Sequence, residues 1–285
     1  MARRSEFRRM ILGLPQSTGD YPSVGATVRL AELLQTQLLG MFAEDRSLMD
    51  LAALPFAREL RPLGGGWQTI DIKQLASEFE RNAATARRLF GELVRNCHVE
   101  TSFRVERGTA ADIIASVATA EDIVVVIEPT NPAERVTQQF VRLMESAFRA
   151  SASVMIIPSR ISRLSGPVVA LASGPDDPSI EAATRIAGAA REKLIIVGPA
   201  ERFAPKAAHS VAVEVSAERI EFVSTTALQD VPRLAGELQN WNERLLVMTR
   251  GVLSDAKVLA LASLRSVPVV VVEPVVMADA AGGKS

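Results

Sequence analysis

The chain has 285 residues, which sets a prior for two domains of roughly 140 residues each. Net charge is −1, so no global field recruits nucleic acid or an anionic membrane surface. Hydrophobic residues make up 48% and charged residues 23%, the balance of a globular protein, while aromatics at 5% leave the core to Val, Ile, Leu and Ala.

The start, Met1 to Arg9, carries four arginines and reads as a solvated basic tail. The apolar run that follows it, Met10 to Leu14, is too short for a signal-peptide core, and no stretch approaches the roughly 18 apolar residues of a membrane span. A cytoplasmic location, with no membrane span, is the expectation. Cys97 is the only cysteine, which excludes an intrachain disulfide and a cysteine-rich metal cluster.

In chain order, Met10 to Leu14 reads as a first strand, Ser23 to Gln37 as a helix with an apolar face, and Leu38 to Phe42 as a second strand. Glu44 to Thr69, broken by Pro55, Pro62 and Gly64-Gly65-Gly66, reads as a long connection with short turns at most. Asp71 to Arg95 has apolar residues at helical spacing, from Leu75 and Phe79 to Phe90 and Leu93. Val99 to Val105 alternates as a strand and Thr109 to Thr119 is a short helix. Ile123 to Ile127 is an unbroken β-branched run, which marks a strand buried on both faces of a parallel sheet. Pro132 to Ala150 reads as one helix with Pro132 in its first turn, and Val154 to Ile157 as a closing strand stopped by Pro158. Ser159 to Gly166 is the expected linker.

A second copy then begins. Pro22 to Ala31 aligns with Pro178 to Ala187, 156 positions on, with identical Pro, Ser, Ala, Arg and Ala at five of the ten positions. A strand–helix–strand unit recurring at that distance implies two similar domains in tandem. Val168 to Leu171, Ser179 to Arg191 and Leu194 to Val197 repeat the first three elements, but Gly198 to Ser210 has no room for the long helix of the first copy. Val211 to Val215 and Ile220 to Val223 are short strands, Ala227 to Gln239 and Ser254 to Leu264 helices, and Leu245 to Met248 and Val267 to Val272 buried strands. Residues after Glu273 read as a disordered tail.

The order of elements implies an α/β fold with two doubly wound, mainly parallel five-stranded sheets. Domain bounds are expected at 10–158 and 167–274. Ligands in such sheets sit beyond the carboxyl ends of strands, where strand order reverses.

On these features, and on Met155-Ile156-Ile157-Pro158 and Val267-Pro268-Val269-Val270-Val271-Val272 as closing strands, the chain resembles the universal stress protein family in its tandem form. The resemblance implies an adenine nucleotide alpha-hydrolase-like sheet, closing strands paired across a pseudo-dimer axis, and a stress-response role. The nucleotide-binding branch of that family places an Asp after the first strand and a loop Gly-x2-Gly-x9-Gly-Ser/Thr after the fourth, where backbone N–H groups reach phosphate. This chain has Gln16 and Ser17 near the first position. After its fourth strand comes Glu128-Pro129-Thr130-Asn131-Pro132-Ala133-Glu134-Arg135, which has no glycine. The two prolines and Glu128 and Glu134 are expected to repel a polyphosphate, so the first copy is not expected to bind ATP in the family's manner. Thr130, Asn131 and Ser17 have groups able to bond some other ligand, with loop and helix capping as the competing role.

The second copy keeps Ser173-Gly174 after its first strand and Thr249-Arg250-Gly251, then Ser254, after its fourth. In a nucleotide site Arg250 would be the charged contact and Gly251 would allow close approach. Asp176 and Asp177 oppose phosphate there unless a divalent cation bridges them. His98 and His209 are the only histidines and are read as structural. No HExxH, CxxC, GxSxG or P-loop pattern occurs, and no two carboxylates can be paired as acid and base.

The resemblance, with no catalytic constellation in the sequence, implies a non-enzymatic stress-response or regulatory protein, with a regulatory protein partner and self-association as its expected interactions. The other reading is an ATP, AMP or other small-ligand binder using the second-copy loops.

Overall fold

The computed structural model describes residues 7–14, 21–44, 46–61, 66–203 and 220–273. Gln16, Ser17, His209, the strand expected at Val211 to Val215 and the tail after Pro274 lie outside these residues. So does most of the stretch in which the second copy was expected to lose its long helix.

Ten strands form one sheet. In the front half they are β1 (Arg9–Gly13), β2 (Gln37–Glu44), β5 (Thr101–Arg107), β6 (Asp122–Ile127) and β7 (Ser153–Ile157). In the back half they are β8 (Val168–Leu171), β9 (Leu194–Gly198), β10 (Ile220–Ser224), β11 (Leu245–Thr249) and β12 (Val269–Val272). The spatial order is β10-β9-β8-β11-β12-β7-β6-β1-β2-β5. Each half therefore runs third, second, first, fourth, fifth strand, and all pairs within a half are parallel. The halves meet at a single antiparallel pair, β7 with β12, in the register Val269 to Ile156, Val270 to Met155 and Val271 to Val154. The closing strands thus cover each other's edge inside one chain, which removes two apolar edges from solvent.

The period-two alternation of these strands sorts their side chains into two helix-covered faces. Met10, Leu12, Ile123, Val125, Met155 and Ile157 pack under α1 (Tyr21–Leu34), α3 (Ile72–Val94) and, in the back half, α7 (Pro178–Ala190). Val124, Val126, Val154 and Ile156 face the other way, onto α4 (Ala110–Val117), α6 (Gln138–Arg149), α8 (Val231–Leu238) and α9 (Asp255–Arg265). Burial on both faces explains why β6, β7, β8, β11 and β12 are almost wholly apolar in sequence. Gly40 of β2 is required by packing, because a Cβ there would meet the Phe90 ring of α3 at 2.9 Å.

Two stretches differ from their sequence reading. The connection after β2 holds a helix, α2 (Arg46–Ala52), and an antiparallel hairpin of β3 (Arg58–Arg61) and β4 (Gly66–Thr69). The helix expected over Pro132 to Ala150 is two: α5 (Pro132–Arg135) ends at Val136, and Thr137 then starts α6 as its N-cap. Thr137 Oγ1 accepts from Phe140 N at 3.3 Å and donates to Glu134 O, so its side chain competes with helix continuation.

Candidate functional site

Strand order reverses twice, between β1 and β6 in front and between β8 and β11 behind, and the two crevices differ. Equivalent positions follow from the hydrogen bonds. Leu14 N donates to Met41 O as Ala172 N donates to Val197 O, and Glu128 N donates to Ile157 O as Arg250 N donates to Val272 O. Ile127 therefore corresponds to Thr249, and Glu128 to Arg250.

The front crevice is an open cleft of about 700 Å³. Its floor comes from the ends of three strands, with Gly13 ending β1 and Leu14 just after it, Met41 and Ala43 on β2, and Val125 and Ile127 on β6. The N-terminal turn of α4 forms one wall through Ala110, Ala111, Ile113 and Ile114, and Phe140 and Leu143 of α6 form the other. The polar groups sit at the rim: Thr109, Glu134, Thr137, Gln138, Gln139 and Arg142. An apolar floor with a few convergent polar groups at a switch point is the usual make-up of a small-ligand site.

The back crevice carries a buried hydrogen-bond network. Asp177, buried as the N-cap of α7, accepts from Ser173 N and Ser173 Oγ at 2.8 Å, Ser179 N at 3.0 Å and Ser179 Oγ at 2.7 Å. Thr249 Oγ1 donates to the same carboxylate and accepts from Ser179 N at 3.2 Å. Burial by itself lifts the Asp177 pKa. Hydrogen bonds from Thr249, Ser173 and Ser179 more than reverse that and hold it below its ordinary value of 3.8. The network spans the ends of β8 and β11 and the start of α7.

Of the residues singled out in sequence, Ser173 and Thr249 are thus brought together, but onto Asp177. Gly174 accepts the Asp177 amide in the same turn. Gly251 is a solvent-facing turn at φ +90°, and Ser254 is the exposed N-cap of α9 with no side-chain capping bond. Arg250 does not face the crevice. Its guanidinium pairs with Glu273, donates to Ala150 O at 3.2 Å and Ala152 O at 2.8 Å, and lies over the Phe148 ring. It joins the two halves in place of the anion contact expected of it, giving donors to the α6 C-cap carbonyl of Ala150 and to the Ala152 carbonyl before β7.

Glu128, the front counterpart of Arg250, also turns into the seam. Its side chain is only 2% exposed, pairs with Arg135 at 2.8 Å, and accepts from Ser159 N at 3.0 Å and from Ser263 Oγ of α9 at 2.5 Å. The expected repulsion of phosphate by Glu128 is therefore corrected, since its charge is neutralised away from the cleft; only Glu134 of the pair lines it. Asn131 caps α5, its Oδ1 accepting from Ala133 N at 3.1 Å, and Thr130 is exposed beside it.

His98 is exposed, and its amide donates to Glu32 Oε1 at 2.9 Å, with its ring Nδ1 3.1 Å from the same oxygen. The amide bond is the main cause of a lowered Glu32 pKa, and the contact ties α1 to the chain before β5. Among the described residues no group of three or more His, Cys, Asp or Glu side chains is placed to hold a metal ion. None of their helices is long and apolar enough to cross a membrane.

Met41, Ile113, Phe140 and Arg142 escaped the sequence reading, which followed loops rich in hydroxyls and glycine. The signal that could have found them is the strand order itself: the β1–β6 reversal places the ends of β2 and β6 and the starts of α4 and α6 around one opening.

No family model matches the chain, and no curated protein sequence matches it. Solved structures do. A universal stress protein from Archaeoglobus fulgidus DSM 4304 aligns with a TM-score of 0.60 and 14% identity, over 93% of this chain and 96% of that one. A functionally unknown protein from Pseudomonas aeruginosa PAO1 gives 0.55 and 15%, over 94% and 93%. A candidate universal stress protein from Pseudomonas aeruginosa UCBPP-PA14 gives 0.54 and 14%, over 94% of both chains. At these identities the likeness is one of fold: the chain has the tandem α/β architecture of universal stress proteins over nearly its whole length.

Proposed function

We propose that the chain is a non-catalytic, ligand-responsive regulatory protein of universal stress type, whose front half holds the ligand and whose back half is a structural copy. Residues 10–158 and 167–274 are its two units, with 159–166 between them, and it acts in the cytoplasm through a protein partner or through self-association. One observation carries this reading: the front strand reversal opens into the cleft under Ile127, while the back reversal is filled by Asp177 and its donors. The rim favours a ligand other than a triphosphate, because Pro129 and Glu134 stand where a glycine loop would offer N–H groups.

Thermal-shift titration with ATP and AMP, with and without Mg²⁺, tests the division of labour. ATP is expected to leave the melting temperature unchanged, and phosphate release from ATP is expected to match the protein-free rate. A shift abolished by Gly251→Trp but not by Ala43→Trp would move the site to the back loops and overturn the reading.

A further inference from the structure

The lining of the front cleft specifies more than its position. The inward side chains of the floor and walls, Leu14, Met41, Ile113, Ile127 and Phe140, are apolar, and Leu14 N is already committed to Met41 O. A ligand body seated there gains by burying carbon and finds few polar groups to bond. At the rim Arg142 is exposed, and its guanidinium has no hydrogen bond or ion pair to any described residue. This sets it apart from Arg9, Arg135, Arg250 and Arg265, which are all paired with carboxylates. The cleft's one carboxylate, Glu134, accepts from Asn131 Nδ2 at 3.4 Å on the same rim.

We propose that the front cleft binds a small amphipathic carboxylate, its apolar body among Met41, Ile113, Ile127 and Phe140 and its single negative charge on Arg142. The proposal rests on the front cleft being the ligand site. A guanidinium meets a carboxylate with two parallel N–H donors, and one cation balances one charge. A dianionic phosphate would leave its second charge facing Glu134. Gln138 and Gln139, in the first turn of α6 beside Arg142, add amide donors. The volume of about 700 Å³ lies within the range of small-molecule sites.

The experiment is calorimetric titration of the full chain with octanoate, 1-octanol and AMP, using wild type, Arg142→Gln, Glu134→Gln and Ala43→Trp, each checked for an unchanged circular dichroism spectrum. Octanoate is expected to bind saturably, about tenfold more weakly to Arg142→Gln, the loss expected of one charged hydrogen-bonding contact. Its affinity for Glu134→Gln should rise by about two- to threefold, since removing a nearby like charge at an exposed rim has a small effect. 1-Octanol should ignore both rim variants, and Ala43→Trp should abolish binding of both compounds. Octanoate binding that is indifferent to Arg142→Gln, or AMP binding more tightly than octanoate, overturns the ligand class and leaves the cleft standing as the site. Failure of all three compounds to bind overturns the proposal. If a thermal shift by some other compound then survives Ala43→Trp, the cleft itself is not the site.

Discussion

The front and back strand reversals start from the same strand order and end in opposite states. Leu14, Met41 and Ile127 leave the front crevice open, with apolar groups at its floor. Their counterparts in the back are Ala172, Val197 and Thr249, and the Thr249 hydroxyl gives Asp177 a partner across the gap. In the back half the Thr249 hydroxyl and the Asp before α7 meet in a buried polar network, where the fourth strand of the front half ends in the apolar Ile127. The same strand order therefore supports an apolar cleft in one copy and a buried polar network in the other, and the difference lies in the residues at the strand ends and the helix start.

The largest test of that contrast is Asp177→Ala. The substitution leaves the donors of Ser173, Ser179 and Thr249 without their shared acceptor in a buried site, which should cost about 3 kcal/mol. Urea denaturation should show the loss as a lower midpoint with an unchanged slope. Ile127→Ala in the front removes carbon that already borders open space and should cost less, about 1–2 kcal/mol. Equal losses would show that the back network does not stitch its crevice.

The same carboxylate predicts an acid dependence. Its folded pKa is depressed below 3.8, so in acid the unfolded chain binds the proton more readily. The stabilisation is complete above the unfolded value and declines as pH falls from there through the folded value. Wild type should therefore lose midpoint stability below about pH 4 more steeply than Asp177→Asn, in which that group cannot titrate. Parallel curves for the two proteins would remove Asp177 from the account.

The seam offers a smaller effect with a built-in comparison, because Glu128 and Arg250 hold equivalent places with opposite charge. Glu128→Gln leaves Arg135 without its buried partner and should cost about 2 kcal/mol. Arg250→Ala, whose side chain is 20% exposed, should cost about 1 kcal/mol. A ranking in the other order would mean that the Ala150 and Ala152 carbonyls bonded by Arg250 matter more than the buried carboxylate.

Much of the fold was legible because it rests on local pattern. The short apolar runs of β6, β7, β11 and β12, β-branched throughout in β12 and nearly so in β6, read as buried strands, and Asp71 opens the helical period of α3, where it caps Lys73 N and Gln74 N. The hairpin of β3 and β4 was not legible, because its pairing is made by Arg58 to Arg61 with Gly66 to Thr69, which have no apolar alternation. The site was harder still. Ser173 and Thr249 look alike in sequence whether they bind a ligand or an Asp, and nothing local shows that Arg250 leaves the crevice for carbonyls 98 and 100 residues earlier. Glu128 misled for the same reason, since its neutralising Arg135 and its acceptor role toward Ser263 depend on the closed sheet.

The smallest effect concerns the loop that stands where a glycine-rich phosphate loop would be expected. Asn131 accepts from Ala133 N at 3.1 Å and so starts α5, the short helix that carries Glu134 to the cleft rim. Capping of an exposed four-residue helix has little to protect, and Asn131→Ala should cost only about 0.5–1 kcal/mol. Its effect on binding should exceed its effect on folding, because a frayed α5 no longer holds Glu134 at the cleft rim and so weakens its opposition to an anion. Octanoate affinity should then move in the same direction as in Glu134→Gln. A fall in affinity instead would assign Asn131 to ligand contact, and the loop after β6 would have kept a binding role under a different chemistry.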